Sequence, residues 1–334
     1  MKKILTIIVP SYNVEKFLDQ TLKSFVDEHI MDDLEVLIVD DGSKDKTAEI
    51  GGRYETRFPD TFRVISKENG GHGSTINCGI KEAEGKYFKV VDGDDWVITE
   101  GLVQLIERLK NCEADYVFTN YYNVNDVTKE RVAVQVPEIP VDQEIPFEKV
   151  ARKIRISMHA LAIKTEILRK NKIHLDEHSF YVDVEYILYP IPFINSVVYY
   201  DIFVYMYRVA QMEQSASIRG YQKHLNDHIQ VILHILDYIG TYKSKKGCER
   251  TKIYYMEKQA AAMVENQASI FSSFPPHERG IRKRFKEFDA IIKEKNPRVY
   301  QLSGAHSGML RMLRMTKFHV YFLLIFMSRL RNRK

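Results

Sequence analysis

Two aspartates separated by a single glycine, Asp92 and Asp94, are the residues whose types and spacing most directly suggest chemistry. They follow the apolar run of residues 87–91, a pattern that predicts a buried strand. Carboxylate oxygens suit Mg²⁺ and Mn²⁺, which are commonly held by one or two carboxylates plus the phosphates of a substrate. Gly93 would let a ligand approach the backbone closely. An Asp- and Gly-rich turn after a strand is also common, so this short pattern alone is compatible with a plain turn.

Two further polar clusters stand in the same kind of position, directly after an apolar run. Residues 10–13 follow the run 5–9, and residues 40–43 follow the run 34–39. Continuous apolar strands alternating with helical patterns predict an α/β fold, with a mostly parallel sheet covered by helices. In such sheets ligands bind beyond the C-terminal ends of the strands. The three clusters would therefore gather several acids around one crevice, where a cation and a polyphosphate would offset their repulsion.

The elements that must position these clusters alternate strand and helix patterns through the first two thirds of the chain. One polar, proline-bearing stretch, residues 124–146, predicts an irregular excursion. Beyond Gly220 apolar residues recur at helical spacing, as at Leu225, Ile229, Ile232, Leu236 and Ile239. We therefore predict an α/β domain over residues 1–218 and an all-α module over residues 219–334.

Composition narrows the class of protein. The chain is 45% hydrophobic and 28% charged, as in ordinary globular proteins, and its net charge of +4 does not indicate a nucleic-acid partner. Three separated cysteines, Cys78, Cys112 and Cys248, form no CxxC pair. This argues against a disulfide framework or a zinc site and favours a reducing compartment. No stretch reaches the roughly 20 apolar residues of a membrane span, so we expect a cytoplasmic protein.

Four motifs occur in order, each at a predicted strand end or helix start: IIVPSYN at residues 7–13, VLIVDDGS at 36–43, NGGHG with NCGI at 69–73 and 77–80, and VDGDD at 91–95. Each motif is short and weak, whereas the ordered series is specific. The series resembles the family 2 glycosyltransferases of the GT-A fold, the bacterial group that builds capsules, exopolysaccharides and protein-linked glycans. The resemblance covers roughly the first hundred residues closely and continues weakly to about Ser217.

That resemblance implies an inverting transfer of a hexose from a UDP-sugar to a hydroxyl of a glycan or glycopeptide, with Mn²⁺ or Mg²⁺. It also implies the donor site. Pro10, Tyr12 and Asp40 would line the uridine pocket, with Asp40 accepting a hydrogen bond from the uracil ring nitrogen. Asp92 would face the ribose, and Asp94 would bind the metal that bridges the two phosphates.

Neighbouring residues receive supporting roles. By the same resemblance, Asp95 would contact the donor sugar directly or support the residues that contact it. Asp41 and Ser43 are interpreted as caps of the following helix. Many relatives carry an arginine near Thr75 that helps hold the nucleotide, and this chain departs from them there. Lys67 or a downstream arginine would take that role, or the contact would be missing.

An inverting transfer needs a general base to take the acceptor proton. The family usually places it in a Glu-Asp pair before a helix, and the matching stretch here is residues 180–186. Asp183 falls on the position of the base, while Val182 replaces the usual Glu. A helix N-cap is the alternative role for Asp183, and the competing acids are Asp176, Glu177 and Glu185.

Two further residues are candidates for substrate contact. His159 is predicted on a strand beside the crevice, where it would contact an acceptor or phosphate, or be an ordinary core or rim histidine. Arg208 and residues 214–217 resemble the segment that closes over the donor in relatives. Arg208 would neutralise the diphosphate, unless it is simply a solvated surface arginine.

The C-terminal residues 309–334 contain an apolar run, residues 318–327, flanked by basic side chains: Arg311, Arg314, Lys317, Arg329, Arg331, Arg333 and Lys334. One interpretation is a helix that packs into the helical module or forms a homo-oligomer. The other is a basic amphipathic helix on the inner face of an anionic membrane, where lipid-linked acceptors are found. The pattern slightly favours packing, and we expect the module also to help bind the acceptor.

Two rival functions remain open. A nucleotidyltransferase also uses an α/β sheet and paired carboxylates, but typically has a Gly-rich basic loop near its N-terminus, which residues 10–15 lack. A non-catalytic protein that binds sugar nucleotides or carbohydrates could keep the same fold.

Overall fold

The structure, a computed structural model, describes residues 3–135, 139–209, 217–275 and 278–331, with the backbone alone at 327–331. The chain divides into two compact units, Met1–Gln211 and Met212–Lys334. The division lies close to the change from alternating to purely helical sequence patterns.

The first unit is built on a ten-stranded mixed sheet. Its strands are β1 (Leu5–Ser11), β2 (Leu34–Asp40), β3 (Phe62–Ser66), β4 (Tyr87–Val90), β5 (Trp96–Val97), β6 (Tyr116–Asn125), β7 (Arg131–Val134), β8 (Ile145–Pro146), β9 (Leu161–Lys164) and β10 (Ser196–Val209). The order across the sheet is β3-β2-β1-β4-β9-β6-β10-β5, with β7 beside β6 and β8 beside β10. Strands β1 to β4 pair in parallel, as do β6 and β10, while β9 runs antiparallel between β4 and β6.

Helices cover this sheet, as predicted. They are α1 (Leu18–Lys23), α2 (Thr47–Arg57), α3 (His72–Glu82), α4 (Thr99–Lys110), α5 (Phe147–Val150), α6 (Thr165–Lys170) and α7 (Asp183–Leu188). Every residue of β1 and β2 is buried, which explains why their sequences are mostly apolar instead of alternating. The predicted α/β class with a mostly parallel sheet is confirmed.

The prediction of an irregular excursion at residues 124–146 is wrong in part. Strand β6 continues to Asn125 and pairs with β7 in a hairpin, with Tyr121 opposite Val134. The first three residues of β7 are exposed, so this edge strand lacks the apolar signature by which buried strands are recognised. His159 also lies on a different element from the predicted strand, since it belongs to a 3₁₀ turn, Met158–Ala160, that leads into β9.

The second unit is helical, as predicted. Its helices are α8 (Ile218–Lys223), α9 (Leu225–Lys243), α10 (Arg250–Ser273), α11 (Ile281–Lys295), α12 (Pro297–His306), α13 (Gly308–Met315) and α14 (Tyr321–Arg331). Stacked rings of Phe271 and Phe285, 4.6 Å apart, lie in its core. The buried Arg314 guanidinium pairs with Asp289 at 2.8 Å. Among the described residues, no helix has the length and apolar content needed to cross a membrane.

Candidate active site

The ends of β1 and β2 lie side by side. Their register aligns Ser11 with Asp40, so the residues that follow them share one edge of the sheet. Pro10 is buried within β1, whereas Tyr12, just beyond its end, is 50% exposed. Asp40 is buried, and its Oδ1 accepts a hydrogen bond from the Ser43 amide at 3.1 Å. The structure thus brings together the three residues predicted to line a uridine pocket.

Asp41 does not cap the following helix, so that prediction is wrong. Its Oδ2 accepts from the Gly71 amide at 2.8 Å, and its Oδ1 accepts from the Gly70 amide at 2.9 Å and from Lys67 Nζ at 2.8 Å. The start of α2 is bonded instead by Asp45, whose Oδ1 accepts from the Thr47 amide at 2.9 Å. Asp41 therefore fastens the glycine-rich loop to the end of β2.

Ser43 and Lys67 are likewise used within the chain. Ser43 Oγ accepts from the Asn13 amide at 3.0 Å, which ties the loop after β1 to the loop after β2 instead of capping a helix. Besides Asp41, Lys67 Nζ donates to Ser74 Oγ at 2.9 Å and to the Glu68 carbonyl at 2.5 Å. The Lys67 ammonium group, a candidate nucleotide contact, thus already has three acceptors within the protein: Asp41, Glu68 and Ser74.

The same loop brings a histidine to the paired aspartates. Gly71 has φ = 83°, a conformation that favours glycine, and α3 begins at the next residue, His72. His72 Nε2 lies 2.8 Å from Asp92 Oδ1. Burial opposes charging of the imidazole, but the Asp92 carboxylate outweighs it, so the pKa of His72 is raised. Asp183 and Asp94 act in the same direction.

The paired aspartates respond differently to this environment. Burial works to raise the pKa of Asp92, but His72 outweighs it and the net shift is downward. Burial and the neighbouring Asp92 charge raise the pKa of Asp94 to about 6. None of the described side chains donates a hydrogen bond to the Asp94 carboxylate. Among the described residues Asp94 therefore has no directly bonded cation, although Arg208 and His72 attract its charge from further away, and it stands at the position predicted to bind the metal.

Asp95 is built into the wall of the site. It is 1% exposed, its Oδ2 accepts from the Tyr205 hydroxyl at 2.7 Å, and its Oδ1 accepts from the Arg208 amide at 2.7 Å. Burial, followed by the charges of Asp94 and Asp92, raises its pKa well above the ordinary value. In this arrangement Asp95 supports the site and offers no exposed oxygen to a donor sugar.

Arg208 is also buried, so it is not the solvated surface arginine of the alternative interpretation, while its contact with a diphosphate stays a prediction. Its Nε donates to the Asp94 carbonyl at 2.7 Å, Nη1 to Asp126 at 2.6 Å and Nη2 to Gln20 at 2.9 Å. Its guanidinium carbon lies 4.7 and 4.6 Å from two ring centroids, those of Phe17 and Trp96. Arg208 thus holds the backbone of the aspartate turn. In the predicted closing segment that follows it, residues 214–216 lie outside the described residues.

Asp183 is the first residue of α7, and Val182 occupies the N-cap without a side-chain hydrogen bond. The Asp183 carboxyl nevertheless accepts backbone hydrogen bonds within the first turn, from its own amide and that of Val184, so it also stabilises the helix start in the manner of the alternative role. Burial raises the pKa of Asp183, with a further upward effect of Asp92 and a downward effect of His72. The carboxyl group is thus electrostatically close to the paired aspartates, at the position predicted for a base.

The competing acids have other partners. Glu185 is fully buried, and its oxygens accept from the Asp176 amide at 2.8 Å and the Tyr189 hydroxyl at 2.9 Å. Glu177 Oε1 accepts from the Asn77 amide group at 3.1 Å. Both acids hold the segment before α7 in place.

His159 lies among aromatic rings. Its ring centroid is 4.1 Å from Tyr207, 4.8 Å from Tyr205 and 5.3 Å from Tyr121. Burial lowers its pKa to about 4, which makes the imidazole neutral near pH 7. Its carbonyl accepts from the buried Lys89 Nζ at 2.7 Å.

The donor set fits a divalent cation. One ligand atom each from Asp92, Asp95 and His159 lie within 4.8 Å of one another. Asp95 already uses both oxygens, so the more accessible Asp92 and Asp94 are the better candidates. Hard oxygen donors, one of them on an acid whose pKa is raised by a neighbouring carboxylate, suit Mg²⁺ or Mn²⁺.

His72 is the site residue that sequence reasoning did not single out. One signal was its place in the Gly71-His72-Gly73 stretch of the third motif. A second signal is the lack of an arginine near Thr75, which leaves His72 as a nearby side chain that can carry positive charge. The structure puts His72 there.

Comparison with known proteins identifies the family. The chain is 38% identical over 122 residues to a Bacillus subtilis (strain 168) protein described as the glycosyltransferase EpsJ, covering 36% of this chain and 35% of that protein. It is 27% identical over 236 residues to the putative glycosyltransferase EpsH of the same organism, covering 66% and 64%. The chain thus matches less than two thirds of the length of either relative.

A solved structure shares the fold of the whole chain. Staphylococcus aureus TarS 1-349, crystallised with UDP-GlcNAc, superposes with a TM-score of 0.70 at 20% identity, covering 98% of this chain and 91% of that one. This likeness confirms the GT-A fold. The family model described as glycosyl transferase family 2 matches residues 6–173, half of the chain. The protein belongs to glycosyl transferase family 2.

Proposed function

We propose that this protein is an inverting, metal-dependent glycosyltransferase that moves a hexose from a UDP-sugar to a hydroxyl group of a glycan or glycopeptide. The observation that carries this proposal is the gathering of separate acids at one sheet edge. Asp40 lies at the end of β2, Asp94 follows β4, and Asp183 opens α7 in the field of Asp92. Each acid can then serve a different part of one transfer reaction.

The donor would lie across the ends of β1, β2 and β4. Tyr12 offers an exposed ring for the uracil, and Asp40 offers a carboxylate for its ring nitrogen. The solved TarS structure with UDP-GlcNAc supports a UDP-linked donor for the same fold.

Asp94, with Asp92 nearby, would hold Mn²⁺ or Mg²⁺ against the donor phosphates. The bound cation would stabilise the charge that develops on the departing diphosphate. His72 keeps the Asp92 carboxylate oriented, and Arg208 fixes the Asp94 backbone. These residues hold the acids in place before a donor arrives.

Asp183 would act as the general base. As the acceptor oxygen bonds to the anomeric carbon and the bond to the phosphate breaks, its carboxylate would take the hydroxyl proton. A raised pKa makes the carboxylate a better proton acceptor, provided that it is ionised at the working pH.

Replacing Asp183 by Asn tests the proposal. We expect transfer to fall by about 10²–10⁴-fold, because the variant lacks a base, while UDP affinity stays unchanged. The matched control is Glu177→Gln, which alters an acid of the same segment and should leave transfer within about twofold of wild type. Full transfer by Asp183→Asn would remove this residue as the base. Absence of transfer in wild type, with UDP-sugar binding intact, would favour the non-catalytic scaffold.

A nucleotidyltransferase is the rival with different products. Its reaction would release pyrophosphate from UTP and a sugar phosphate, whereas the proposed reaction releases UDP. No Gly-rich basic loop follows β1. Product analysis with both substrate sets therefore separates the two activities.

A further inference from the structure

The inward face of helix α14 is packed into the second unit. Tyr321 and Ile325, one turn apart, are 1% and 2% exposed. The Tyr321 hydroxyl donates to the Phe271 carbonyl at 3.0 Å, and its ring meets the Phe285 ring edge to face at 6.3 Å. This face therefore fixes α14 to the helical core, in line with the predicted packing role of the apolar run.

The opposite face of α14 is apolar as well, but it is open. Phe322, Leu323 and Phe326 are 45%, 58% and 58% exposed, and their spacing puts them on one side of the helix. We call these three residues the open face. Over residues 321–326 the helix is apolar on both sides, and an apolar helix face is normally buried. The open face is thus suited to contact with another apolar body.

The part of the chain that carries the open face is basic, and one cation of a neighbouring helix lies beside it. Residues 297–334 contain eight Lys or Arg and no Asp or Glu. The Arg282 guanidinium, from α11, lies 5.8 Å from the Phe322 ring centroid. Arg311 and Lys317, on the segment that leads to α14, are exposed. Apolar side chains with Arg282 beside them, in a basic and acid-free segment, match the chemistry of an anionic lipid surface, where acyl chains and negative headgroups lie together.

We propose that the open face of α14, together with Arg282 and the exposed cations Arg311 and Lys317, binds an anionic membrane surface, with the helix lying in the plane of that surface. Helix α14 has 11 residues and is about 16 Å long, much shorter than the roughly 30 Å hydrocarbon core. An in-plane position is therefore the one that its length allows. The apolar and cationic contributions add, which is the condition for stable peripheral binding.

A second copy of the chain fits this face less well. In a symmetric dimer each patch meets its own copy, so the acid-free basic segments would face each other. That arrangement places like charges together and is unfavourable, whereas anionic headgroups supply the opposite charge. The open face belongs to the second unit and the acids proposed for transfer belong to the first, so the test of lipid binding does not require transfer activity.

Flotation with lipid vesicles tests the proposal, using the full chain and vesicles of phosphatidylcholine with or without about 30% phosphatidylglycerol. We expect binding only with the anionic lipid, weakening steeply as salt rises from about 0.1 to 0.5 M. The variant Phe322→Ser/Leu323→Ser/Phe326→Ser should bind at least about tenfold more weakly. The control variant Val127→Ser/Val132→Ser, which changes exposed apolar residues of the first unit, should bind like wild type.

Circular dichroism melting and sedimentation velocity without lipid keep the result interpretable, because exposed replacements should leave fold and mass unchanged. Three outcomes would overturn the proposal. The wild-type protein could fail to bind anionic vesicles, or the triple variant could bind them as tightly as the wild-type protein does. Alternatively, wild type could be a dimer that the triple variant dissociates, without vesicle binding, which would make the open face a subunit interface.

Discussion

At the scale of single residues, Asp41 and Asp94 show that one residue type can have a structural role at one position and a proposed metal-binding role at another. The Asp41 carboxylate accepts hydrogen bonds from two backbone amides and an ammonium group, so its charge is already compensated within the fold. Asp94 lies beside another carboxylate, and burial with that neighbour raises its pKa to about 6. The first acid stabilises the empty protein, whereas the second gains most when a cation arrives.

The sequence could not separate these roles. Asp41 looked like a helix cap because a helix follows it, but its partners lie 26 to 30 residues away on another loop. Arg208 looked like a ligand for phosphate because arginine often is one, yet its partners come from three distant segments. Motifs indicate which residue types are available, while long-range contacts decide which of them remain free.

Lys89 provides a prediction at the residue scale. It is fully buried beneath His159, and burial lowers its pKa to about 7. Because the unfolded state then binds the extra proton between pH 7 and about 10, stability should rise with pH across that window. We expect a contribution on the order of 1 kcal/mol per pH unit, measured by urea unfolding.

The variant Lys89→Met should lose this part of the pH slope, since methionine carries no proton. The control is Lys86→Met, because Lys86 lies on the same segment with its ammonium bonded to the exposed Glu113. If Lys89→Met keeps the full wild-type slope while Lys86→Met changes it, the pH dependence does not arise from the buried ammonium.

At the scale of elements, the start of α3 and the segment before α7 fit together through glycines. A Cβ on Gly73 would lie 2.0 Å from the Asp176 carbonyl oxygen. The His178 amide donates to the Gly70 carbonyl at 2.5 Å, which joins the same two segments. These two contacts keep His72 and Asp183 near each other, although they are 111 positions apart in the sequence.

Gly73→Ala should therefore destabilise the protein by about 2 kcal/mol or more, because the backbone oxygen cannot yield to the new methyl group. Thermal and urea unfolding measure this change. Gly52→Ala is the matched control, since Gly52 lies in α2 with open space around it and alanine is the better helix former. Equal stability of both variants would contradict the close contact between α3 and the segment before α7.

Strands and helices were predictable wherever burial imposes a pattern. The buried strands β1, β2 and β4 are mostly apolar, and α9 repeats apolar residues at helical spacing. The exposed strand β7 and the 3₁₀ turn at His159 were not predictable, because neither has a periodic apolar face. The sequence thus located the edge of the sheet where the site lies, but not the hairpin beside it.

At the scale of the whole molecule, the chain joins a GT-A unit to a helical unit with a distinct surface. The first unit carries the acids proposed for donor, metal and base. The second carries the open face of α14 and the acid-free basic segment. We propose that the helical unit also contributes to acceptor binding. Family membership and fold are established, whereas donor, acceptor and membrane contact are separate proposals with separate tests.

The most direct test of the central claim is calorimetric titration of UDP into the protein, with and without Mn²⁺, for wild type and Asp94→Asn. If Asp94 holds a cation against the phosphates, Mn²⁺ should strengthen UDP binding to wild type by about tenfold or more and leave the variant unchanged. Absence of UDP binding to wild type with Mn²⁺, or equal enhancement in Asp94→Asn, would contradict a metal-bridged nucleotide site at Asp94.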